Sequence, residues 1–197
     1  LCLGHNRIIL KSDNDRSIAA LLKNIIKTLR IENLDNTQEA HPTAYDSSSN
    51  ASTEVTCKQV AGMVRTLKTC LEDCIRMRIP TSHCVFAWLV EQAAWLLTTR
   101  ATQSDGISPY KRLRGRNFHT RLLSFGEKCL YKLSNKGPQK PIDGKMGARW
   151  REGVFLGYSR DSNEFVLWNV PDKIITRARS AQRRPESERW SAEESMA

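Results

Sequence analysis

The feature that most limits the fold of this chain is a long helical pattern in residues 49–77, which begins in a small polar turn. At about 100° per residue, its apolar side chains fall on one arc, which predicts a helix face that packs on a core. That arc consists of Val60, Val64, Leu67, Leu71, Cys74 and Ile75. The opposite arc carries Glu54 at its start, followed by Lys58, Arg65 and Lys68. A purely solvated face would have the same composition, so the pattern alone assigns no function.

The residues before this helix predict a strand followed by a helix. Residues 7–11 (RIILK) form a short apolar run that is typical of a buried strand. Residues 16–30 place apolar side chains at helical spacing, and Asp15 or Asn14 could cap that helix. Asp13 follows the strand, where open α/β sheets place their chemistry, although a turn or cap residue would occupy the same position. A further strand is predicted around residues 37–41.

The rest of the chain changes from helical to strand patterns. A second long helix is predicted to reach residue 99, with Thr81 or Ser82 as its cap, and residues 108–113 predict a short helical turn. Strands are predicted at residues 125–133, 150–158, 164–169 and 173–178, which favours a small β-barrel or curled sheet. We therefore expect an α/β (α+β) chain with domains at 1–104 and 123–181, a basic linker at 105–122, and a disordered tail at 182–197.

The charge of the chain favours a polyanionic partner. There are 31 Lys and Arg residues against 21 Asp and Glu, a formal net charge of +10, and such an excess is typical of nucleic-acid-binding proteins. Cations are densest at Lys111, Arg112, Arg114 and Arg116. These residues could bind phosphates, or they could belong to a solvated linker. No apolar run reaches the roughly 18 residues of a membrane span, so we expect no membrane partner.

The six cysteines leave two interpretations open. Cys70 and Cys74 are four residues apart on a predicted helix, with His83 and Cys84 following, so a zinc site is conceivable. Packing of small apolar side chains in a core is the favoured interpretation. In either case we expect reduced thiols in an intracellular protein.

Several motifs, taken in order, resemble the integrase region of copia-type retrotransposon polyproteins. Residues 9–14 (ILKSDN) are similar to a strand-Asp-Asn-Gly segment of the integrase core. Residues 50–54 (NASTE) and 64–67 (VRTL) resemble the segment that carries the catalytic glutamate. Residues 108–110 (SPY), 125–126 (FG) and 153–158 (GVFLGY) resemble the stretch that follows the core in these polyproteins. Together the motifs extend from about residue 3 to residue 184.

The resemblance implies a ribonuclease H-like core, here partial and with long helices, followed by a small SH3-like β-barrel. In that family two aspartates and a glutamate hold Mg²⁺ (or Mn²⁺) for DNA strand transfer, with Asp13 and Glu54 as the matching residues here. Lys58, Arg65 and Lys68 would then hold DNA phosphates. The family implies DNA as partner and a nuclear location, and it leaves open whether the chain forms homo-oligomers.

Three departures from the family pattern lower the expected activity. The first catalytic aspartate of the family belongs upstream of Leu1, Asp15 stands where the family has a glycine, and so does Ala51. We therefore expect no integrase activity from this chain alone. Two alternatives are a non-catalytic basic module that binds nucleic acid or supports assembly, and a transposon relic without function.

Overall fold

The computed structural model describes residues 7–11, 15–31, 36–40, 51–134 and 146–195. The chain divides into two compact units, Leu1–Gln59 and Val60–Ala197. The division falls within one helix and differs from the predicted domains, because residues 60–104 join the same unit as the β-strands. The architecture is mixed, with helices and an antiparallel sheet, which agrees with the α+β class. Within the described ranges, no helix combines the length and apolar character needed to cross a membrane.

The first unit contains a strand-helix-strand motif. Strand β1 (Arg7–Lys11) and strand β2 (Asn36–Ala40) are parallel, and helix α1 (Arg16–Ile31) lies between them in the sequence. Leu22 and Ile26 of α1 are buried. The Asp15 carboxylate caps α1 by accepting the N–H groups of Ser17 at 2.8 Å and Ile18 at 3.3 Å. The Ser17 bond is the main reason why the pKa of Asp15 is lowered, and the predicted cap is confirmed.

Helix α2 (Ala51–Ile75) is the long helix that the periodicity predicted. In the second unit, Leu71 and Ile75 of the predicted apolar arc are buried. The helix ends where Arg76 adopts a positive φ of 57°. Glu72 lies in the last turn, and its Oε1 accepts the backbone N–H of Ile79, just beyond the end of the helix, at 2.6 Å. The carboxylate thus ties the last turn of the helix to the chain that leaves it.

Helix α3 (Val85–Arg100) begins later than predicted and has a different cap. The residue before it, Cys84, makes no side-chain capping bond. Instead, His83 Nδ1 accepts the N–H of Val85 at 3.2 Å. The prediction of Thr81 or Ser82 as cap is therefore wrong, because residues 81–84 form turns before the helix starts. His83 thus has a structural role at the start of α3.

The second unit is organised around a five-stranded antiparallel sheet with the order β6-β5-β4-β3-β7. Its strands are β3 (Lys128–Lys132), β4 (Trp150–Tyr158), β5 (Phe165–Asn169), β6 (Ile174–Ala178) and β7 (Ala181–Arg183). Four of these match the predicted strands, and β4 and β5 form the predicted pair. The register between β4 and β5 shifts at Phe155 and Gly157, where the sheet is irregular.

The connection between β6 and β7 requires the sheet to curl. These two strands lie at opposite edges of the sheet, yet only two residues separate Ala178 from Ala181. Three Cα–Cα steps span at most about 11 Å, whereas the edges of a flat five-stranded sheet are about 19 Å apart. The two edges must therefore approach each other at this end.

Both faces of the sheet contribute to buried clusters. One cluster unites Phe155, Phe165 and Leu167 of the strands with Trp95 of α3 and Phe118. The other unites Leu156 and Val166 with the ends of α2 and α3, through Leu71, Ile75, Val85 and Leu89. Because α3 contributes to both clusters, it packs on the sheet and lies in the same compact unit.

Residues 182–195 have regular structure where the sequence predicted a disordered tail. Strand β7 pairs with β3, a 3₁₀ helix covers Glu186–Glu188, and helix α5 covers Ala192–Ser195. Arg183 forms an ion pair of 2.9 Å with Glu127, which is 1% exposed, and Trp190 packs on the second cluster. The high charge of this segment suggested disorder, but two of its arginines, Arg183 and Arg184, have acidic partners far away in the sequence, Glu127 and Glu152.

Candidate nucleic-acid interface

The two predicted catalytic carboxylates are only partly covered by the structure. Asp13 lies outside the described residues. Glu54 lies in the first turn of α2 and is exposed. Within the described ranges there is no group of three or more His, Cys, Asp or Glu side chains that could hold a metal ion. The described residues therefore do not by themselves provide a magnesium site.

The predicted cations of α2 differ in their environment. Lys58 and Arg65 are exposed. Lys68 is partly buried and pairs with Glu72 at 2.5 Å, in the arrangement that also holds the N–H of Ile79. The Lys68 bond is the main reason why the pKa of Glu72 is lowered. Lys68 therefore has a structural partner, whereas Lys58 and Arg65 remain accessible to solvent.

The cysteines do not follow the favoured interpretation uniformly. Only Cys129 is buried among those described, while Cys57, Cys70 and Cys84 are exposed and Cys74 is partly buried. All five are free thiols. Burial raises the pKa of Cys129 to about 12, so this thiol is a core residue. Cys70 and Cys74 interact as a pair on α2, and among the described residues they belong to no group of three metal-binding side chains.

The predicted basic linker contains a short helix with defined ends. Helix α4 (Pro109–Arg114) starts at Ser108, whose Oγ accepts the N–H of Lys111 at 3.2 Å. It ends at Gly115, which has a φ of 69° and donates its N–H to the carbonyl of Lys111. Residues with this φ are most often glycine. Both caps fix the helix that carries three of the predicted cations.

An aromatic cluster anchors this segment to the rest of the second unit. Phe118 is buried and meets Trp95 of α3 edge to face, with ring centroids 4.7 Å apart. Tyr110 of α4 contacts the same ring at 5.4 Å. Tyr158 of β4 lies 5.7 Å from it. The segment 108–124 is therefore anchored to a core by its aromatic side chains, while its cations remain exposed to solvent.

Backbone contacts of Tyr158 fix the far end of the segment. Its hydroxyl donates to the carbonyl of Arg121 at 2.9 Å and accepts the N–H of Leu123 at 3.4 Å. The hydroxyl of an ordinary tyrosine is already protonated at neutral pH, and burial raises the pKa of Tyr158 further, to about 12. This hydroxyl therefore holds both backbone groups in place.

Arg100, at the end of α3, joins the same surface. Its guanidinium donates to the carbonyl of Thr120 at 3.4 Å and lies over the Phe118 ring, 5.7 Å from the centroid. The sequence analysis missed this residue. Its position in the last turn of a helix was visible in the sequence, but its contact with residues twenty positions later was not.

We call residues 100–124 the basic platform. Its cations are Arg100, Lys111, Arg112, Arg114, Arg116 and Arg121, and all six are exposed. Its only carboxylate is Asp105, which pairs with Arg112 and accepts the N–H of Ile107. The platform thus has a net charge of +5 in 25 residues, six cations against one carboxylate. Among described residues, Lys111, Arg114 and Arg116 have no acidic partner.

This arrangement suits the binding of phosphate groups. Arginine presents a planar fork of donors that matches phosphate oxygens. Side chains on a packed scaffold lose less freedom on binding than those on a flexible chain.

A comparison of the chain with models of protein families and with curated proteins finds no match.

Proposed function

We propose that this chain is an integrase-type fragment of retrotransposon origin that binds DNA through the basic platform without carrying out strand transfer. The observation that carries the proposal is the packing of Phe118. It turns a run of cations into a fixed surface with a net charge of +5. Sequence-independent binding to DNA comes from contacts between cations and phosphates, which such a surface can provide without specific base contacts.

Two features of the fold support the retrotransposon origin. The parallel pair of β1 and β2 with α1 between them is the motif expected from part of a ribonuclease H-like core. The strand order of the second unit, its curl and the short connection from β6 to β7 are expected from an SH3-like barrel. The core-like motifs at residues 9–14 and 50–54 occur in the first unit, whereas the core-like motif at 64–67 lies in the second unit, together with the motifs at 108–110, 125–126 and 153–158.

The absence of strand transfer is proposed from the sequence. The family needs two aspartates and a glutamate to hold its metal ions, and no aspartate precedes Asp13 in the 197 residues. For these residues alone we therefore expect no strand transfer with Mg²⁺ or Mn²⁺. Glu54 is expected to have no role in DNA binding without a divalent metal ion.

The first experiment measures affinity for a short duplex over a range of salt concentrations, without divalent cations. Each phosphate contact contributes about 0.9 to the slope of log K against log salt. Replacing Lys111, Arg114 and Arg116 by Gln should therefore make this negative slope shallower, by about 2.7 if each side chain binds one phosphate. Fluorescence anisotropy of a labelled duplex is a suitable measurement.

A control variant separates the platform from general charge. Lys23, Lys27 and Lys173 are exposed cations outside the platform, and their replacement by Gln removes the same total charge. This variant should change the slope much less than the platform variant. Equal effects of both variants would contradict a localised interface. Failure of the unchanged chain to melt cooperatively would instead favour a relic without function.

Arg112 and Arg114 provide a finer test within one helix. Asp105 pairs with Arg112, so Arg112 must leave this partner to bind a phosphate. Arg112→Gln should therefore weaken DNA binding less than Arg114→Gln. An equal or larger effect of Arg112→Gln would show that Asp105 does not hold its guanidinium away from DNA.

A further inference from the structure

Cys70 and Cys74 form a pair of thiols on one side of helix α2. They are four residues apart, and residues at this spacing are neighbours on a helix surface, with Cβ atoms about 5–6 Å apart. The two side chains interact directly, because Cys74 forms a side-chain hydrogen bond with Cys70. Cys70 is exposed, Cys74 is partly buried, and both are free thiols. The pair is therefore accessible to a small ligand from solvent.

The geometry of the helix suits an ion between the two sulfurs better than a disulfide. A disulfide needs Cβ atoms about 3.5–4.5 Å apart, which is less than the ordinary spacing of positions i and i+4. Oxidation to a disulfide would therefore distort the last turns of α2, where Leu71 and Ile75 are buried. An ion bound between the sulfurs lengthens the bridge and needs no such distortion.

The number and type of ligands indicate the class of ion. Thiolates are soft ligands that select Cu(I) and Zn²⁺ over Mg²⁺ and Ca²⁺. A structural zinc ion takes four protein ligands, whereas among the described residues this pair belongs to no group of three metal-binding side chains. Cu(I) differs from zinc, because two thiolates are enough to complete its coordination. Asp73 and Arg76 act on Cys74 with opposite charges, so their effects on a bound cation oppose each other.

We propose that Cys70 and Cys74 form a site for one Cu(I) ion, which the two thiolates hold. Binding releases two protons, one from each thiol, and leaves the oxidation state of copper unchanged. An ordinary cysteine is already mostly protonated at neutral pH, and burial raises the pKa of Cys74 further, so the affinity should increase with pH. The site lies on α2 and outside the basic platform, so this proposal and the proposed function can fail independently.

The first test adds Cu(I) to the full chain without oxygen, in competition with the coloured Cu(I) chelator bicinchoninate. Cys57 and Cys84 are the other exposed thiols of the described residues, and Cys2 lies outside these residues. Replacing these three cysteines by Ser keeps the pair intact, so this parent variant should still take one Cu(I) from the chelator. Cys70→Ser and Cys74→Ser, each made in the parent variant, should lower the affinity by more than the roughly 10–100-fold loss typical of an outer-shell partner.

A second test needs no substitution. Alkylation by iodoacetamide, followed by mass spectrometry, reports the reactivity of each thiol separately. One equivalent of Cu(I) should protect Cys70 and Cys74 from alkylation and leave the rates at Cys57 and Cys84 unchanged. Zn²⁺ would find only two of its four usual ligands here, so it should protect the pair only at higher concentrations than Cu(I). Because this test uses the unchanged chain, it decides the question even if a serine variant fails to fold.

Three results would overturn the proposal. The first is binding of Cu(I) by both Cys70→Ser and Cys74→Ser with the affinity of their parent variant, since other groups would then hold the ion. The second is equal protection of all exposed thiols, which would show that Cu(I) binds thiols without a defined site. The third is protection of the pair by Zn²⁺ at the same concentration as by Cu(I), because the coordination would then include more than two thiolates.

Discussion

The two units of this chain carry different parts of the integrase resemblance and differ in how well they bury their apolar residues. In the first unit, Leu22 and Ile26 of α1 are buried, but Ile18, Leu21 and Ile25 of the same helix are 38–59% exposed. In the second unit, two clusters enclose the sheet from both sides. The unit with the predicted catalytic residues therefore has the smaller described core. The proposed DNA-binding surface lies on the unit with the larger core.

This difference suggests that DNA binding depends on the second unit. A surface that orders six cations needs a scaffold whose stability exceeds the cost of fixing them. Phe118 and Tyr158 provide such a scaffold for the basic platform. The described carboxylate of the first unit, Glu54, has no comparable support, since its side chain is exposed in the first turn of a helix.

The largest expected effect would show whether the two units unfold separately. Leu89 is fully buried in the second unit, so Leu89→Ala should lower the free energy of unfolding of that unit by about 2–5 kcal/mol. Leu22→Ala, in the first unit, should leave it unchanged. Hydrogen exchange of β3 to β7, followed by mass spectrometry, distinguishes the two. If both variants accelerated exchange in these strands equally, the units would unfold as one.

A somewhat smaller effect would test how α2 is joined to the sheet. Gly126 has a φ of 78°, and a Cβ added there would lie 2.5 Å from Leu71 Cδ1. Gly126→Ala should therefore destabilise the second unit by about 2–4 kcal/mol, through backbone strain and overpacking. Gly115→Ala is the control, because its φ is 69° but no atom lies within 4 Å. It should cost only about 1 kcal/mol. Denaturant midpoints would compare the two variants.

The smallest of the three effects concerns pH. The pKa of Tyr158 is raised by burial from 10.0 to about 12, so its neutral form stabilises the folded state below pH 10. This stabilisation is lost as the pH rises through the folded pKa, and it amounts to about 2 kcal/mol. Tyr158→Phe should remove this part of the alkaline loss, although it also removes the bond to Arg121. Thermal melts between pH 8 and pH 12 measure it.

Cys129 complicates this test in a predictable way. Its pKa is also raised to about 12, so alkaline destabilisation should persist in Tyr158→Phe at a reduced level. An unchanged pH dependence in Tyr158→Phe would contradict burial of the hydroxyl.

Local sequence patterns predicted most of the helices and strands. The strand at residues 7–11 and the strand at residues 150–158 have the predicted bounds, and α1 differs by one residue. Hydrophobic periodicity depends only on neighbouring residues and on the geometry of one element. For the same reason, the cap formed by Asp15 was predicted from the sequence.

Features that join distant segments were not predictable in this way. The imidazole cap of α3 and strand β7 were missed, and so was the place of Arg100 in the basic platform. Strand β7 exists because β3 offers it an edge, and Arg183 is ordered because Glu127 lies buried 56 positions earlier.

The sequence by itself determined most of the helices and strands, the excess of positive charge and the resemblance to an integrase region. Only the tertiary structure decided that the aromatic residues of 108–124 pack into a core, and that β7 pairs with β3. The physical reason is that burial of Phe118 and pairing of strands depend on contacts between residues far apart in the chain. Local composition does not specify these contacts.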